Sequence, residues 1–285
     1  MHIGVTFPQI EMGGDPGAVR AYAAAAEGLG YEYLLVYDHV LGADPANRPG
    51  WKRYTNADPF HEPFVLFGFL AGIAPTLEYV PGVVILPQRQ TALVAKQAAE
   101  VDLLSGGKFR PGVGVGWNAV EYEALGEDFT TRGRRMEEQI EVLRLLWTRP
   151  VASFSGRFHT IVEAGLNPMP VQRPIPIWIG GMSDIAIGRA GRVADGWFPI
   201  GRVDDAMLAR IDRLRAAAEG AGRPPGAVGI DARIDMNATP EAEWPAEAER
   251  WRSVGATHLS INTMYQGFSP AEHIAAIGRF RKAIA

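Results

Sequence analysis

Pro176-Ile177-Trp178-Ile179-Gly180-Gly181-Met182-Ser183 sets a short, unbroken apolar run directly before two glycines and a hydroxyl. A strand that is apolar on both faces is one covered on both faces, as in a parallel sheet flanked by helices. Val83-Val84-Ile85-Leu86 repeats the pattern. Along the whole chain, β-like runs fall near residues 3–7, 33–37, 79–86, 110–115, 176–180, 196–199, 228–234 and 257–262. Helical stretches with readable ends lie between them. Asp15-Pro16 offers an N-cap with proline at the first helical position, and Gly30 a stop. Thr91 opens a stripe of Leu93, Val94, Gln97, Ala98, Val101 and Leu104 that ends at Ser105-Gly106-Gly107. Thr131 opens a helix carrying Met136, Ile140, Leu143 and Trp147, and Ser269-Pro270-Ala271-Glu272 has capping-box spacing.

Eight strands, each followed by a helix, predict an α/β fold, a single (β/α)8 TIM barrel, in preference to an open doubly wound sheet. An open sheet would want a nucleotide fingerprint near its start, and residues 1–20 have none. No linker or composition shift divides the chain, so one domain over 1–285 is expected. Two excursions interrupt the alternation. Residues 42–62, after strand 2, are polar and aromatic; residues 150–173, before strand 5, read as a hairpin around Phe154-Ser155-Gly156-Arg157-Phe158. Long insertions in a barrel are usually functional.

Composition narrows the chemistry. The chain of 285 residues is 47% hydrophobic and 21% charged, a globular composition with no room for a disordered reading. The net charge of −4 leaves no basic excess to neutralise phosphates, so no nucleic-acid partner is expected. Cysteine is absent, which excludes disulfides, thiolate ligands and a thiol nucleophile. His2, His61, His159, His258 and His273 are scattered without ligand spacing, so no metal is expected. The N-terminus has neither a basic region nor an apolar core for export, and apolar runs are cut by Gly and Pro well short of about 18 residues. A cytoplasmic protein with no membrane span is the expectation.

In barrel enzymes the site is built at the C-terminal ends of the strands. There stand Phe7-Pro8-Gln9, Tyr37-Asp38-His39, Ile85-Leu86-Pro87, Gly114-Val115-Gly116-Trp117-Asn118, Gly180-Gly181, Phe198-Pro199-Ile200-Gly201 and Asn262-Thr263. The plain alternative is that Gly and Pro here only end strands. Asp38-His39 is the sharpest pair: a histidine with an adjacent carboxylate able to set its tautomer suits proton transfer near neutral pH. Its alternative is a histidine bonded only to backbone, and since adjacent residues on a strand point to opposite faces, the alternative for Asp38 is to orient the loop instead of the imidazole. Gly114, Gly116 and Ala119 match G-x-G-x-x-A, but the run follows the fourth strand. The segment 118–128 reads as loop, and the acid about 20 residues on, Glu137, falls inside a helix. A dinucleotide site is therefore rejected, and the glycines are expected to let backbone approach a flat ligand beside Trp117 and Asn118. Gly180-Gly181-Met182-Ser183 opens a helix and predicts a phosphate site, with Arg202 after the next strand. Trp51 and Tyr54 could cover an apolar ligand.

Taken together, Tyr37-Asp38-His39-Val40-Leu41-Gly42, Asp58-Pro59-Phe60-His61-Glu62-Pro63, Gly82-Val83-Val84-Ile85-Leu86-Pro87-Gln88-Arg89, Gly114-Val115-Gly116-Trp117-Asn118-Ala119-Val120-Glu121-Tyr122, Pro176-Ile177-Trp178-Ile179-Gly180-Gly181 and Ala194-Asp195-Gly196-Trp197 resemble the bacterial luciferase-like superfamily. Within it, the chain resembles the coenzyme F420 (deazaflavin)-dependent oxidoreductases, and the likeness runs over the whole chain. FMN-using relatives share the barrel, the Gly-Gly turn and the Asp-Gly-Trp strand. The resemblance implies His39 near the reactive face of the cofactor ring and Gly82-Val83 where the family often has a non-proline cis peptide behind that ring. It implies Gly116, Trp117 and Asn118 at the ring edge with Glu121 as a neighbour, Gly180, Gly181 and Ser183 on the phosphate, and Arg202 near the acidic tail of F420. One departure is Arg110-Pro111, where relatives carry a Leu-type strand.

What the resemblance implies is F420-dependent hydride transfer to or from an organic small molecule, with His39 as proton donor and Asp38 beside it. The alternatives are an FMNH2-dependent monooxygenase served by a separate flavin reductase, and a barrel that binds the cofactor without turnover. Relatives are commonly homodimers.

Overall fold

β1 (His2–Thr6) pairs in parallel with β2 (Tyr33–Val36) on one side and with β11 (His258–Asn262) on the other, so the two ends of the chain meet in one sheet. The computed structural model describes residues 1–285. From β11 the sheet continues through β10 (Gly229–Asp235), β9 (Gly196–Phe198), β8 (Trp178–Gly180) and β5 (Gly112–Gly114) to β4 (Val84–Ile85), while β2 pairs with β3 (Glu78–Pro81), every pairing being parallel. Tyr79 closes the ring by bridging to Phe109: its N–H donates to Lys108 at 2.9 Å, and its carbonyl accepts from Arg110 at 3.1 Å. This is the expected α/β TIM barrel.

The third strand departs from the sequence reading. The run expected at 79–86 is broken into β3 and β4, and the Gly82–Val83 peptide between them is cis. The hairpin forms as read: β6 (Ala152–Ser155) pairs antiparallel with β7 (Thr160–Ala164) before β8. Glu138 pins it by accepting from the Arg157 and Phe158 N–H groups and from His159 Nδ1.

The helices are α1 (Gln9–Met12), α2 (Pro16–Gly28), α3 (Pro63–Ala71), α4 (Thr91–Leu104), α5 (Ala119–Ala124), α6 (Arg132–Thr148), α7 (Asp184–Val193), α8 (Asp205–Gly220), α9 (Trp244–Ser253) and α10 (Pro270–Ala283). Asp15 caps α2, and the Ser269–Glu272 capping box opens α10, so polar side chains satisfy helix N–H groups that have no intrahelical acceptor. α5 corrects the reading of 118–128 as loop, because Asn118 accepts from the Val120 N–H and starts a short helix there.

Two apolar layers hold the barrel. Outside it, alternate strand residues such as Val5, Val36, Ile179, Ile230, Ile234 and Ile261 pack on the helices. Inside, Tyr33, Leu35, Val80, Trp178 and Phe198 form a separate cluster. Glycine supplies the space: a Cβ on Gly196 or Gly229 would run into the Trp178 ring, and one on Gly4 into Tyr33.

Arg110, which looks like a break in the fourth strand when only the sequence is read, plugs the N-terminal end of the barrel. It is 3% exposed and reaches Asp231 at 3.0 Å and Glu78 at 2.7 Å. Its guanidinium lies 4.3 Å from the Trp178 ring centre. Tyr33 donates to Asp231 at 2.6 Å. Burial and the Arg110 charge push the neighbouring His258 imidazole down to about 2, so that ring is neutral.

Candidate active site

Above the plug lies a cavity of about 720 Å³, opening at the C-terminal ends of the strands. It is walled by Asp38, His39, Gly82, Val83, Gly116, Trp117, Gly180 and Gly181, so the structure brings together eight of the eleven site residues expected from the sequence. Val83 explains the neighbouring glycines. Its side chain sits so close to β5 and β8 that a Cβ on Gly114 would approach it to 2.7 Å and one on Gly180 to 2.8 Å. These glycines make room for the Val83 ledge, and both also line the cavity. Gly116 has φ +63, a conformation that favours glycine, and turns the chain toward Trp117.

His39 stands just beyond β2 inside an aromatic enclosure. Ring centres of Phe60, Tyr54 and Trp117 lie 4.7, 4.9 and 5.7 Å away. Tyr54 comes from the 42–62 loop, which is tied across the cavity mouth by the Tyr265 hydroxyl donating to the Tyr54 hydroxyl at 2.8 Å. Trp51 donates to the Tyr54 carbonyl and packs on Trp117, bracing the loop from outside the cavity wall. Of the two expectations for Asp38, orienting His39 or orienting the loop, the structure has the second: no hydrogen bond joins its carboxylate to His39. Asp38 is 4% exposed, is paired with Arg89 at 2.8 Å and accepts from the Ile85 N–H, so it fastens β2 to the turn after β4. The carboxylate that meets His39 is Glu121 of α5, whose Oε1 is 3.2 Å from Nδ1. Burial pushes the Glu121 carboxyl up, but the hydrogen bonds from His39 and Gln88 outweigh it and hold it below its usual range. His39 Nε2 has no hydrogen-bond partner within the chain.

Three other expected residues lie off the cavity wall. Asn118 is buried, capping α5 and donating to the Leu41 carbonyl at 3.2 Å, so it ties the loop root and not a ring edge. Ser183 caps α7 by accepting from the Ala186 N–H. That leaves Gly181, with φ +137 and a Cβ position 2.8 Å from Ala186, to form the turn into the helix. Arg202, expected near an acidic tail, is held by Glu243 at 2.8 Å and Glu247 at 3.1 Å.

The wall also has members that the sequence reading missed. Arg233 on β10 reaches the cavity, donates to the Tyr37 hydroxyl and pairs with Asp235, which in turn accepts from Asn262 at 2.8 Å. Burial works against the Arg233 charge, but Tyr37 and Asp235 outweigh it and raise its pKa. A signal for these residues does exist in the sequence. Asp231, Arg233 and Asp235 alternate with Ile230, Ala232 and Ile234, a period of two that puts three charges on the inner face. Arg53 at the mouth stacks on Trp117, 5.3 Å from its ring centre.

No helix is long and apolar enough to cross a membrane. No group of three or more His, Asp or Glu side chains is arranged to hold a metal ion.

Comparison with known proteins agrees with this architecture. The luciferase-like monooxygenase profile matches residues 2–282. An uncharacterized protein of Mycobacterium tuberculosis is 37% identical over 205 residues, 69% of this chain and 70% of the relative. The FMNH(2)-dependent dimethylsulfone monooxygenase of Pseudomonas putida is 32% identical over 229 residues, 78% of this chain and 59% of that enzyme. Among solved structures, an F420-dependent secondary alcohol dehydrogenase in complex with an F420-acetone adduct superposes with a TM-score of 0.80, 17% identity and 100% and 99% coverage. The monooxygenase RslO1 from Streptomyces bottropensis superposes with a TM-score of 0.80, 17% identity and 100% and 98% coverage. A parallel barrel closed by a split third strand, with a histidine and a glycine turn on the same cavity and a profile match along nearly its full length, makes this chain a member of the luciferase-like monooxygenase family.

Proposed function

We propose that the chain is a cytoplasmic F420-dependent oxidoreductase, one barrel domain without a separate cofactor domain, moving hydride between the deazaflavin and an organic small molecule. The observation that carries this reading is His39: Glu121 takes its Nδ1, while the ring stands in an aromatic enclosure on a cavity whose other wall carries a glycine turn into a helix. The residues fit a flat, phosphate-bearing group. Val83 forms a ledge, Trp117 an edge, and the first-turn N–H groups of α7 behind Gly180-Gly181 present partial positive charge to a phosphate. When bound, the cofactor supplies or accepts the hydride. The chain binds and orients it, the Tyr54–Tyr265 tie narrows access of water, and His39 holds a proton at Nε2 for the substrate atom that becomes negative.

Gly181→Val tests the phosphate turn. Its φ of +137 is strained for valine, and the new side chain would meet Ala186. We expect F420 affinity, measured by fluorescence titration, to fall by about 2 kcal/mol, since charge-assisted phosphate hydrogen bonds contribute about 1.5–3 kcal/mol each. Unchanged affinity in a folded variant removes the assignment.

A second reading, an FMNH2-dependent monooxygenase with a partner reductase, has one specific observation in its favour. Arg202 is neutralised by Glu243 and Glu247, so the residue expected to meet an acidic tail is already paired. Competitive titration decides between the two. F420 should bind more tightly than FMN, and an FMN affinity at least about tenfold tighter, a difference of about 1.4 kcal/mol, would transfer the function to the monooxygenase reading. Binding of F420 with no substrate-linked absorbance change for any compound screened would instead mark a carrier.

A further inference from the structure

We propose that Glu121 is the positioning residue of His39, fixing its proton on Nδ1 and leaving Nε2 to face the cavity; this rests on the proton-donor reading of His39. Four groups converge on this one carboxylate. Oε1 receives His39 Nδ1 at 3.2 Å and the Val40 and Leu41 N–H groups at 2.8 and 3.3 Å, and Oε2 receives Gln88 Nε2 at 3.1 Å. Glu121 is 1% exposed, so water does not screen its charge from the imidazole.

The other ionisable groups around His39 are committed elsewhere. Asp38 and Glu62 both pair with Arg89, Glu127 pairs with Arg135, Tyr54 accepts from Tyr265, and Arg53 lies over Trp117. Glu121 is thus the carboxylate in hydrogen-bond reach of the ring. In the transfer step the Nε2–H bond breaks as the proton joins the substrate, the imidazolium becomes a neutral ring with Nδ1–H still bonded to Glu121, and solvent later returns the proton to Nε2. A carboxylate at Nδ1 selects the tautomer in which this cycle closes without a ring flip. The same residue roots the 42–62 loop through Val40 and Leu41, so histidine and loop are set by one side chain.

Two substitutions separate charge from geometry. Glu121→Gln keeps an oxygen acceptor for His39, Val40 and Leu41. Its new amide N–H can be met by Gln88, whose own Oε1 is buried without a partner and becomes available when that amide turns over. Glu121→Leu removes both charge and acceptor. The full chain, labelled with 15N-histidine and without cofactor, is measured by NMR at alkaline pH, where the ring nitrogens report which one carries the proton; His39 is assigned by loss of its signals in His39→Gln. The proton should be on Nδ1 in the native chain and in Glu121→Gln, and shift to Nε2 in Glu121→Leu. In Glu121→Gln, F420-linked turnover should fall about tenfold, within the range of general acid catalysis, with F420 affinity changed by less than about twofold. A native His39 carrying its proton on Nε2, a Leu variant with the native tautomer, or a Gln variant with native turnover would overturn the proposal. The NMR measurement needs neither cofactor nor substrate, so the tautomer of His39 is decided independently of whether F420 is the cofactor. Should the Leu variant not fold, the native and Gln chains still decide it.

Discussion

His39→Ala is expected to lower F420-linked turnover by at least about tenfold, and up to the 10²–10⁴-fold typical of a lost general acid. F420 affinity should change by less than about 1 kcal/mol, less than one charge-assisted hydrogen bond contributes. Hydride arriving at a polarised substrate leaves negative charge on the acceptor atom. His39 is the only histidine on the cavity wall, and its Nε2 is the nitrogen left without a partner in the chain. The variant removes that donor but leaves Val83, Trp117 and the Gly180-Gly181 turn on the cavity wall, where the proposed function seats the cofactor. The expected signature is therefore a change in kcat at constant cofactor binding, measured after a screen of F420-linked absorbance changes has found a substrate. A variant with near-native turnover would reduce His39 to a ring-packing residue. Loss of cofactor binding along with turnover would place the imidazole on the cofactor and not on the proton.

Arg110→Ala is expected to cost about 3–5 kcal/mol of folding stability, because it leaves Asp231 as an uncompensated buried charge. Asp231 has 1% side-chain exposure and no other cation partner, and the alanine also withdraws the guanidinium packed over Trp178 and Tyr33. Arg110→Lys should lie between, since an ammonium keeps the charge but loses the planar fork and most of the stacking. The double change Arg110→Met with Asp231→Asn should recover most of the loss. Replacing both members of a buried ion pair by groups that need no counter-charge is often close to neutral, and the Tyr33 hydroxyl can still donate to the asparagine oxygen. Chemical denaturation measures all three. A loss below about 1 kcal/mol in Arg110→Ala would mean that the plug is wet and its charges are screened, in line with exposed pairs.

The architecture is legible in the chain before any coordinate is known. Apolar runs bounded by turn residues and helices with readable caps yield the strand count, the parallel sheet and the hairpin before the fifth barrel strand, and with them the end of the barrel at which the cavity opens. These are properties of local hydrogen bonding and of period, which neighbours in the chain control. His39 and the Gly180-Gly181 turn can be placed beside one cavity from the sequence because parallel strands of a barrel all end at the same rim. What each polar side chain holds is settled by packing across the barrel. Asp38 and Glu121 are both carboxylates available to His39 on paper, yet residues beside each other in an extended chain point apart. Asp38 therefore meets Arg89, 51 positions later, and Glu121 meets His39 across 82. Arg110 reads as a fault in a strand because its partners, Glu78 and Asp231, lie 32 and 121 residues away. Arg202 reads as a free cation until α9 brings Glu247 against it. An ionic or hydrogen-bonded pairing depends on distances of about 3 Å in space and is indifferent to separation along the chain. A linear pattern thus shows which groups are available, and folding selects which of them meet.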